Sequence, residues 1–73
     1  MNISYKEFFD SFKDSLGSEG AEELLNKAIL QARLTRKSEY TKDEAIKICE
    51  VLKIHGGFIG IVGGILEARF VVR

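Results

Sequence analysis

Cys49 and His55 are the side chains best suited to act as a nucleophile and a base, and the sequence has one cysteine and one histidine in all. A catalytic pair needs the two groups within hydrogen-bond reach of each other. Residues six apart on a helix point in different directions, and a structural zinc site needs four ligands. The sequence therefore predicts no catalytic residue, no metal site and no cofactor. Cys49 is expected to be a buried, inert thiol, and His55 to lie at a helix end or on the surface.

Gly60, Gly63 and Gly64 follow an apolar run, as the glycines of phosphate-binding loops do. A dinucleotide-binding fingerprint also needs a preceding strand, a following helix and an acidic residue about twenty positions further on. Only nine residues follow Gly64 in this sequence. We therefore do not expect these glycines to bind a nucleotide.

Arg33, Arg36 and Lys37 form a basic cluster at the end of the second predicted helix, and such clusters can contact nucleic-acid phosphates. A third helix follows, so a helix-turn-helix arrangement is one interpretation. The first turn of that helix carries Asp43 and Glu44, whose charges would face phosphates. Cations at a helix C-terminus also interact favourably with the last carbonyl groups. A small DNA-binding regulator that uses these three cations is therefore the alternative function.

The composition predicts one ordinary globular domain over residues 1–73, with 45% apolar residues, 30% charged residues and a formal net charge of zero. The neutral balance gives no support for attraction to nucleic acid or anionic membranes. The longest uncharged run, residues 54–66, is too short to span a bilayer. The lone thiol and the absence of a secretion signal lead us to expect a cytoplasmic location.

Three amphipathic helices are predicted, over residues 4–17, 18–35 and 41–56. Capping boxes, in which a hydroxyl residue is followed three positions later by Glu, begin the first helix at Ser4 and the third at Thr41. Glycine ends both of these helices. The aromatic residues of the first helix recur at helical spacing and are predicted to be core rather than a base-stacking platform; they are Tyr5, Phe8, Phe9 and Phe12.

The C-terminal segment from His55 to Arg73 contains five of the seven glycines among large apolar residues. As a helix, this segment has small residues every fourth position, on one ridge that a partner helix can approach closely; they are Gly56, Gly60, Gly64 and Ala68. The interior glycines oppose helix formation by about 1 kcal/mol each relative to alanine. As a hairpin, residues 58–72 would turn at Gly63 and Gly64 between two alternating apolar runs.

The expected fold is an all-α bundle of three to four helices, with the glycine-rich segment as the fourth helix. An α+β fold with a C-terminal hairpin at 58–72 is the alternative. In either case the segment is more apolar than a chain of this size covers well, so we expect self-association as a homodimer. The residues predicted to mediate it are Gly56, Phe58, Gly60, Ile61, Gly64, Ile65 and Ala68.

The favoured function is a non-enzymatic protein-interaction module, whose protein partner the sequence does not identify. A membrane-surface peptide that inserts the apolar tail into lipid is a second alternative. Helices of that kind are usually rich in Lys and Arg on their polar face, and few cations surround this tail.

Overall fold

The computed structural model describes residues 2–73, in which three helices and one two-stranded antiparallel sheet occur. In chain order the elements are β1 (Asn2–Ser4), α1 (Tyr5–Gln31), β2 (Glu39–Thr41), α2 (Lys42–His55) and α3 (Gly57–Val71). The mainly helical character agrees with the prediction. The small sheet does not, because strands of three residues are too short to produce a periodic pattern.

Gly17 breaks α1 near its middle, with backbone angles of φ 76° and ψ 168°. Residues other than glycine adopt this region only with strain. The predicted helix boundary at Gly17 therefore coincides with a sharp break in α1, which separates one helical stretch before Gly17 from another after it. Gly56, at φ 80° and ψ −177°, makes a similar bend between α2 and α3.

The end of α1 lies at Gln31, short of the predicted end near Thr35. The chain leaves the helix at Arg33, which has a positive φ of 63°. The Arg33 N–H donates to the Leu30 carbonyl over 2.9 Å, and the Leu34 N–H donates to the carbonyl of Ile29, the residue before Leu30. This Schellman arrangement usually has glycine at the left-handed position. Because Arg33 takes that position, no glycine marks the helix end in the sequence.

The strands β1 and β2 pair with Ile3 opposite Tyr40, and both side chains are buried. The Tyr40 hydroxyl accepts a hydrogen bond from the Lys37 N–H over 2.9 Å and donates one to the Thr35 carbonyl over 3.1 Å. A buried phenol normally needs such partners. Through these hydrogen bonds, the buried Tyr40 of β2 holds the connection between α1 and β2 against the core.

Each strand runs directly into a helix that a hydroxyl group caps. Thr41 and Glu44 form the complete capping box, because Thr41 Oγ1 accepts from the Glu44 N–H and the Glu44 carboxylate accepts from the Thr41 N–H. Ser4 accepts from the Glu7 N–H over 3.2 Å. The reciprocal half predicted there is missing, because the Glu7 carboxylate binds the Arg73 guanidinium instead.

The glycine-rich segment is the helix α3, so the hairpin alternative is wrong. Its inner face completes a single core between the strands and the helices, which confirms the core assignment of Phe8 and Phe12. Phe8 and Phe70 meet edge to face with ring centroids 5.3 Å apart. The buried side chains are Ile3, Phe8, Phe12, Ala21, Leu25, Ala28, Ile29, Tyr40, Ala45, Ile48, Cys49, Leu52, Leu66 and Phe70.

Candidate functional site: the outer face of helix α3

The inner face of α3 packs against α2 at two glycines. A Cβ atom at Gly63 would lie 2.8 Å from the Cβ of Leu52, and one at Gly60 would lie 3.0 Å from the carbonyl oxygen of Lys53. Both distances are shorter than ordinary van der Waals contact between heavy atoms. The two helices can approach this closely only because these positions lack side chains.

This contact corrects the predicted ridge of small residues. Gly60 faces α2 of the same chain, and Gly56 forms the bend before α3, so neither is free to meet a partner helix. A Cβ at Gly64 would have no heavy atom within 4 Å, and Ala68 is exposed. Positions four apart rotate by about 40° around an α-helix. The ridge therefore turns from the interior at Gly60 to the surface at Ala68.

A second apolar face of α3 points away from the core, and we call it the α3 outer face. Its exposed fractions are 48% at Phe58, 66% at Ile61, 56% at Ile65 and 83% at Val72, with Ala68 also exposed. A helix on the surface of a lone domain normally carries polar residues on the side opposite the core. α3 is apolar on both sides instead.

The members of the α3 outer face are separated alternately by three and four residues, from Phe58 through Ile61, Ile65 and Ala68 to Val72. This is the spacing of the a and d positions of a heptad, which form the seam between two packed helices. The face thus has the geometry of one half of a helix pair.

Charged residues beside this face are held within the chain. The Arg73 guanidinium forms a two-pronged pair with the Glu7 carboxylate, and these hydrogen bonds, together with the negative charge of Glu7, raise the pKa of Arg73. Arg69 lies 3.9 Å from the same carboxylate. At the other end of the face, the Phe58 ring meets the Phe12 ring edge on, with centroids 6.5 Å apart. Contacts to α1 therefore anchor both ends of α3.

A charged cluster borders the contact between α2 and α3 and consists of Glu50, Lys53 and Glu67. The Lys53 ammonium lies 3.0 Å from the Glu50 carboxylate and 3.3 Å from that of Glu67. The neighbouring Glu50 carboxyl, with which a protonated Glu67 could form a hydrogen bond, and then burial raise the pKa of Glu67. The second Glu67 oxygen is buried and has no hydrogen-bond partner within residues 2–73. The ionised form of Glu67 is thus disfavoured at this position.

Cys49 is fully buried, and burial followed by the charges of Glu67 and Glu50 raises its pKa to about 12. The thiol is therefore protonated and inaccessible at neutral pH, in agreement with the predicted inert role.

His55 is exposed in the last turn of α2. Within residues 2–73, no three His, Cys, Asp or Glu side chains are grouped as metal ligands.

Arg36 and Lys37 border an open hollow of about 430 Å³ together with Lys6, while Arg33 is not among its lining residues. The Arg36 guanidinium lies 3.9 Å above the Tyr5 ring. Carboxylates of the same chain approach each cation: Glu22 lies 4.0 Å from Arg36, Glu44 lies 2.9 Å from Lys37, and Asp10 lies 2.7 Å from Lys6. The predicted basic cluster is thus only partly assembled, and two of its three cations, Arg36 and Lys37, have a carboxylate of the same chain within 4.0 Å.

The exposure of Val72 beside α3 and the pairing of Glu7 with Arg73 are surface features that the sequence did not predict. The heptad spacing that includes Val72 is visible in the sequence, but the every-fourth-residue glycines suggested a different face. Glu7 was assigned to a helix cap, and no local pattern connects it with Arg73, which is 66 residues away.

No family model matches the chain, and no curated protein or solved structure matches it. Among residues 2–73, no helix is both long enough and apolar enough to cross a membrane.

Proposed function

We propose that the protein is a non-enzymatic interaction module that self-associates as a homodimer through the α3 outer face. The observation that carries this proposal is the exposed row of five apolar residues at heptad spacing, from Phe58 to Val72. Rows of this kind form the contact between paired helices.

The hydrophobic effect supplies the driving force for this association. Ile61 and Ile65 expose 66% and 56% of their surfaces to water. Complete burial of an isoleucine side chain is worth about 1.5–3 kcal/mol relative to full exposure. A partner that covers both residues together with Phe58 therefore gains several times the thermal energy.

The charge distribution supports a second copy as the occupant of this face. None of its five members is ionisable, and the bordering Arg69 and Arg73 are paired with Glu7 in their own chain. Two copies can consequently meet through these five residues without burying an ionisable side chain, which would be costly without a partner. The formal net charge of zero adds no long-range repulsion between copies.

The size of the chain is a further reason to propose a dimer. Domains of about 70 residues gain limited stability from a single core and often add disulfides, metals or oligomerisation. The sequence contains a single cysteine, which is buried. Association through α3 would extend the apolar core across the two subunits.

The absence of enzymatic activity is part of the same proposal. Its support is Cys49, the strongest nucleophile by residue type, which is inaccessible and has a pKa raised to about 12. A reduced thiol of this kind also fits the cytoplasmic location expected from the sequence.

Sedimentation of Ile65→Lys tests the proposed dimer. The wild-type chain should sediment as a dimer at micromolar concentration, and the variant as a folded monomer, because a lysine in the seam would be desolvated without a partner. The side chain is 56% exposed within the subunit, so the fold should tolerate the change.

Leu30→Lys is the matched control, since Leu30 is 75% exposed and lies on α1, outside the α3 outer face. This variant should remain a dimer, and circular dichroism should show both variants to be helical. A wild-type chain that sediments as a monomer throughout the micromolar range would contradict the proposal. Equal dissociation of both variants would assign the contact to another surface.

The DNA-binding alternative is favoured by one observation, the convergence of Lys6, Arg36 and Lys37 on one hollow. It predicts duplex binding that weakens steeply with salt and is lost when Arg33, Arg36 and Lys37 are replaced together by glutamine. The carboxylates that already pair with Arg36 and Lys37 make this function the less favoured one.

The membrane-surface alternative uses the same α3 face and predicts co-sedimentation with vesicles that contain anionic lipid. Binding of this kind depends on cations beside the apolar face. Arg69 and Arg73, the cations that border the face, are both engaged by Glu7. Dimerisation in the absence of lipid, with no vesicle binding, would favour the interaction module.

A further inference from the structure

We infer that the two copies pair their α3 helices antiparallel, with Phe58 packed against the partner's Ala68 and Ile61 against the partner's Ile65. This inference rests on the proposed dimer and specifies its geometry. It follows from the order of large and small residues along the α3 outer face.

Side-chain size changes along the face in a way that distinguishes the two orientations. The largest member, Phe58, lies near the start of α3, and the smallest, Ala68, lies ten residues later. In a parallel pair Phe58 would meet Phe58 and Ala68 would meet Ala68. Paired helices sit about 8–10 Å apart depending on the side chains between them. The parallel pair would therefore be wide at one end and narrow at the other.

An antiparallel pair removes this mismatch. A large Phe58 then meets a small Ala68 at both ends of the contact, and Ile61 meets Ile65 twice at its centre. Alternation of large and small residues across facing positions also lets side chains interdigitate at the density of a protein core. The axes of the two helices can thus keep one separation along the whole contact.

The borders of the face are compatible with this arrangement. Gly57 and Gly64 lie beside the seam, and a Cβ atom at either position would have no heavy atom within 4 Å. The missing side chains leave room for the partner's backbone. Antiparallel helices also place the partial positive end of one beside the partial negative end of the other.

Spin labels at Val72 measure the orientation directly. Val72→Cys provides an exposed attachment point, where 83% of the native side chain is accessible, and in the antiparallel pair this position lies beyond the start of the partner's α3. With Phe58 opposite the partner's Ala68, the two labelled positions lie 18 residues apart along the pair, which is about 27 Å at 1.5 Å per residue. A parallel pair would bring the same positions to about 8–10 Å.

The unsubstituted chain is the labelling control, because Cys49 is buried and has a pKa raised to about 12. A distance distribution centred near the long value supports the inference. A short distance overturns the antiparallel geometry and leaves the dimer through α3 intact. No dipolar coupling, together with monomer sedimentation of the labelled and unsubstituted chains, overturns both the geometry and the proposed function.

Oxidation of Ala68→Cys gives a second measurement that does not need a label. In the antiparallel pair the two introduced thiols lie about 15 Å apart along the helices, beyond the reach of a disulfide. Little covalent dimer should form under mild oxidation, although the variant should still sediment as a dimer. Rapid and complete cross-linking, which the parallel arrangement predicts, would overturn the inference.

Discussion

At the scale of single residues, Gly63 and Gly64 are neighbours in α3 with opposite surroundings. Leu52 of α2 occupies the space that a side chain at position 63 would need, whereas the space beside Gly64 is open. The sequence shows two adjacent glycines and cannot indicate which of them is required. The difference arises from the contact with α2, and it separates the structural glycine from the replaceable one.

Gly63→Ala and Gly64→Ala should therefore change stability in opposite directions. Alanine at 64 should stabilise the fold by about 0.5–1 kcal/mol through its helix propensity. Alanine at 63 gains the same propensity but forces α2 and α3 apart, at about 1–3 kcal/mol, so a net loss is expected. Thermal denaturation at submicromolar concentration, where dimer formation contributes little, measures both. Shifts of the same sign would contradict the close contact at Gly63.

Glu67 is a residue whose charge opposes folding at neutral pH. Its pKa is raised in the folded chain above the ordinary value of 4.5, so the folded state binds a proton more readily than the unfolded state. Stability linked to Glu67 therefore increases as the pH falls through the raised pKa towards 4.5. At neutral pH the ionised carboxylate is the unfavourable form.

Glu67→Gln should raise the melting temperature by a few degrees at pH 7, because the neutral amide keeps the shape and avoids the second negative charge. The advantage should shrink as the pH falls, since wild-type Glu67 then becomes neutral by itself. Glu50→Gln is the control, because the Glu50 side chain is 53% exposed and its carboxylate is solvated beside Lys53, whereas Glu67 has a buried oxygen without a hydrogen-bond partner among residues 2–73. That variant should not gain stability at pH 7. A pH-independent effect of Glu67→Gln would contradict the argument.

At the scale of elements, local signals predicted most helix boundaries, including the breaks at Gly17 and Gly56, and the end of α1 is the exception. The hydroxyl residues Ser4 and Thr41 mark two starts in the sequence, and both cap helices in the structure. The end of α1 was predicted too late, because a positive φ at Arg33 leaves no trace in residue type. Helix starts depend on side-chain chemistry, whereas this end depends on backbone hydrogen bonds.

The sheet between β1 and β2 shows a second limit of local patterns. Its central pair joins Ile3 and Tyr40, which are 37 residues apart in the sequence. Each strand contributes one buried side chain, so no alternation can develop. In retrospect, an apolar residue immediately before each capping hydroxyl is the only shared sign of the two strands.

The sequence predicted that the glycine-rich segment is a helix, but it did not predict which side of that helix faces α2. The glycine spacing indicated close helix contact, and that contact exists, but it is made to α2 of the same chain through Gly60 and Gly63. The apolar residues that remain exposed follow the heptad spacing from Phe58 to Val72. Whether an apolar residue of α3 faces inward or outward depends on which side α2 occupies, and this could not be read from the helix alone.

At the scale of the whole molecule, α3 has two apolar faces. One packs against the core of its own chain, and the other is proposed to pack against a second copy. Its inner face contributes Leu66 and Phe70 to the core, and its outer face leaves Ile61 and Ile65 in water. Because only one of its two apolar faces is covered within the chain, α3 is more apolar than an ordinary surface helix and yet only partly buried. Self-association remains a prediction, and the sedimentation of Ile65→Lys beside Leu30→Lys is its test.

The path of the chain depends on the two bends at Gly17 and Gly56, which share nearly the same backbone conformation. The angles at Gly17, φ 76° and ψ 168°, are the mirror image of extended conformations that ordinary L-residues favour. A D-amino acid can consequently adopt the conformation of this bend without strain.

A chain synthesised with D-alanine at position 17 should be more stable than wild type by about 0.4–1 kcal/mol, because its unfolded state has fewer conformations. L-alanine at the same exposed position should be destabilising by about 1–3 kcal/mol. Urea denaturation of the two synthetic chains would measure a difference that depends on handedness alone. Equal stabilities would mean that the bend does not need its left-handed geometry, whereas the expected order would make this turn a site where mirror-image chemistry strengthens a natural fold.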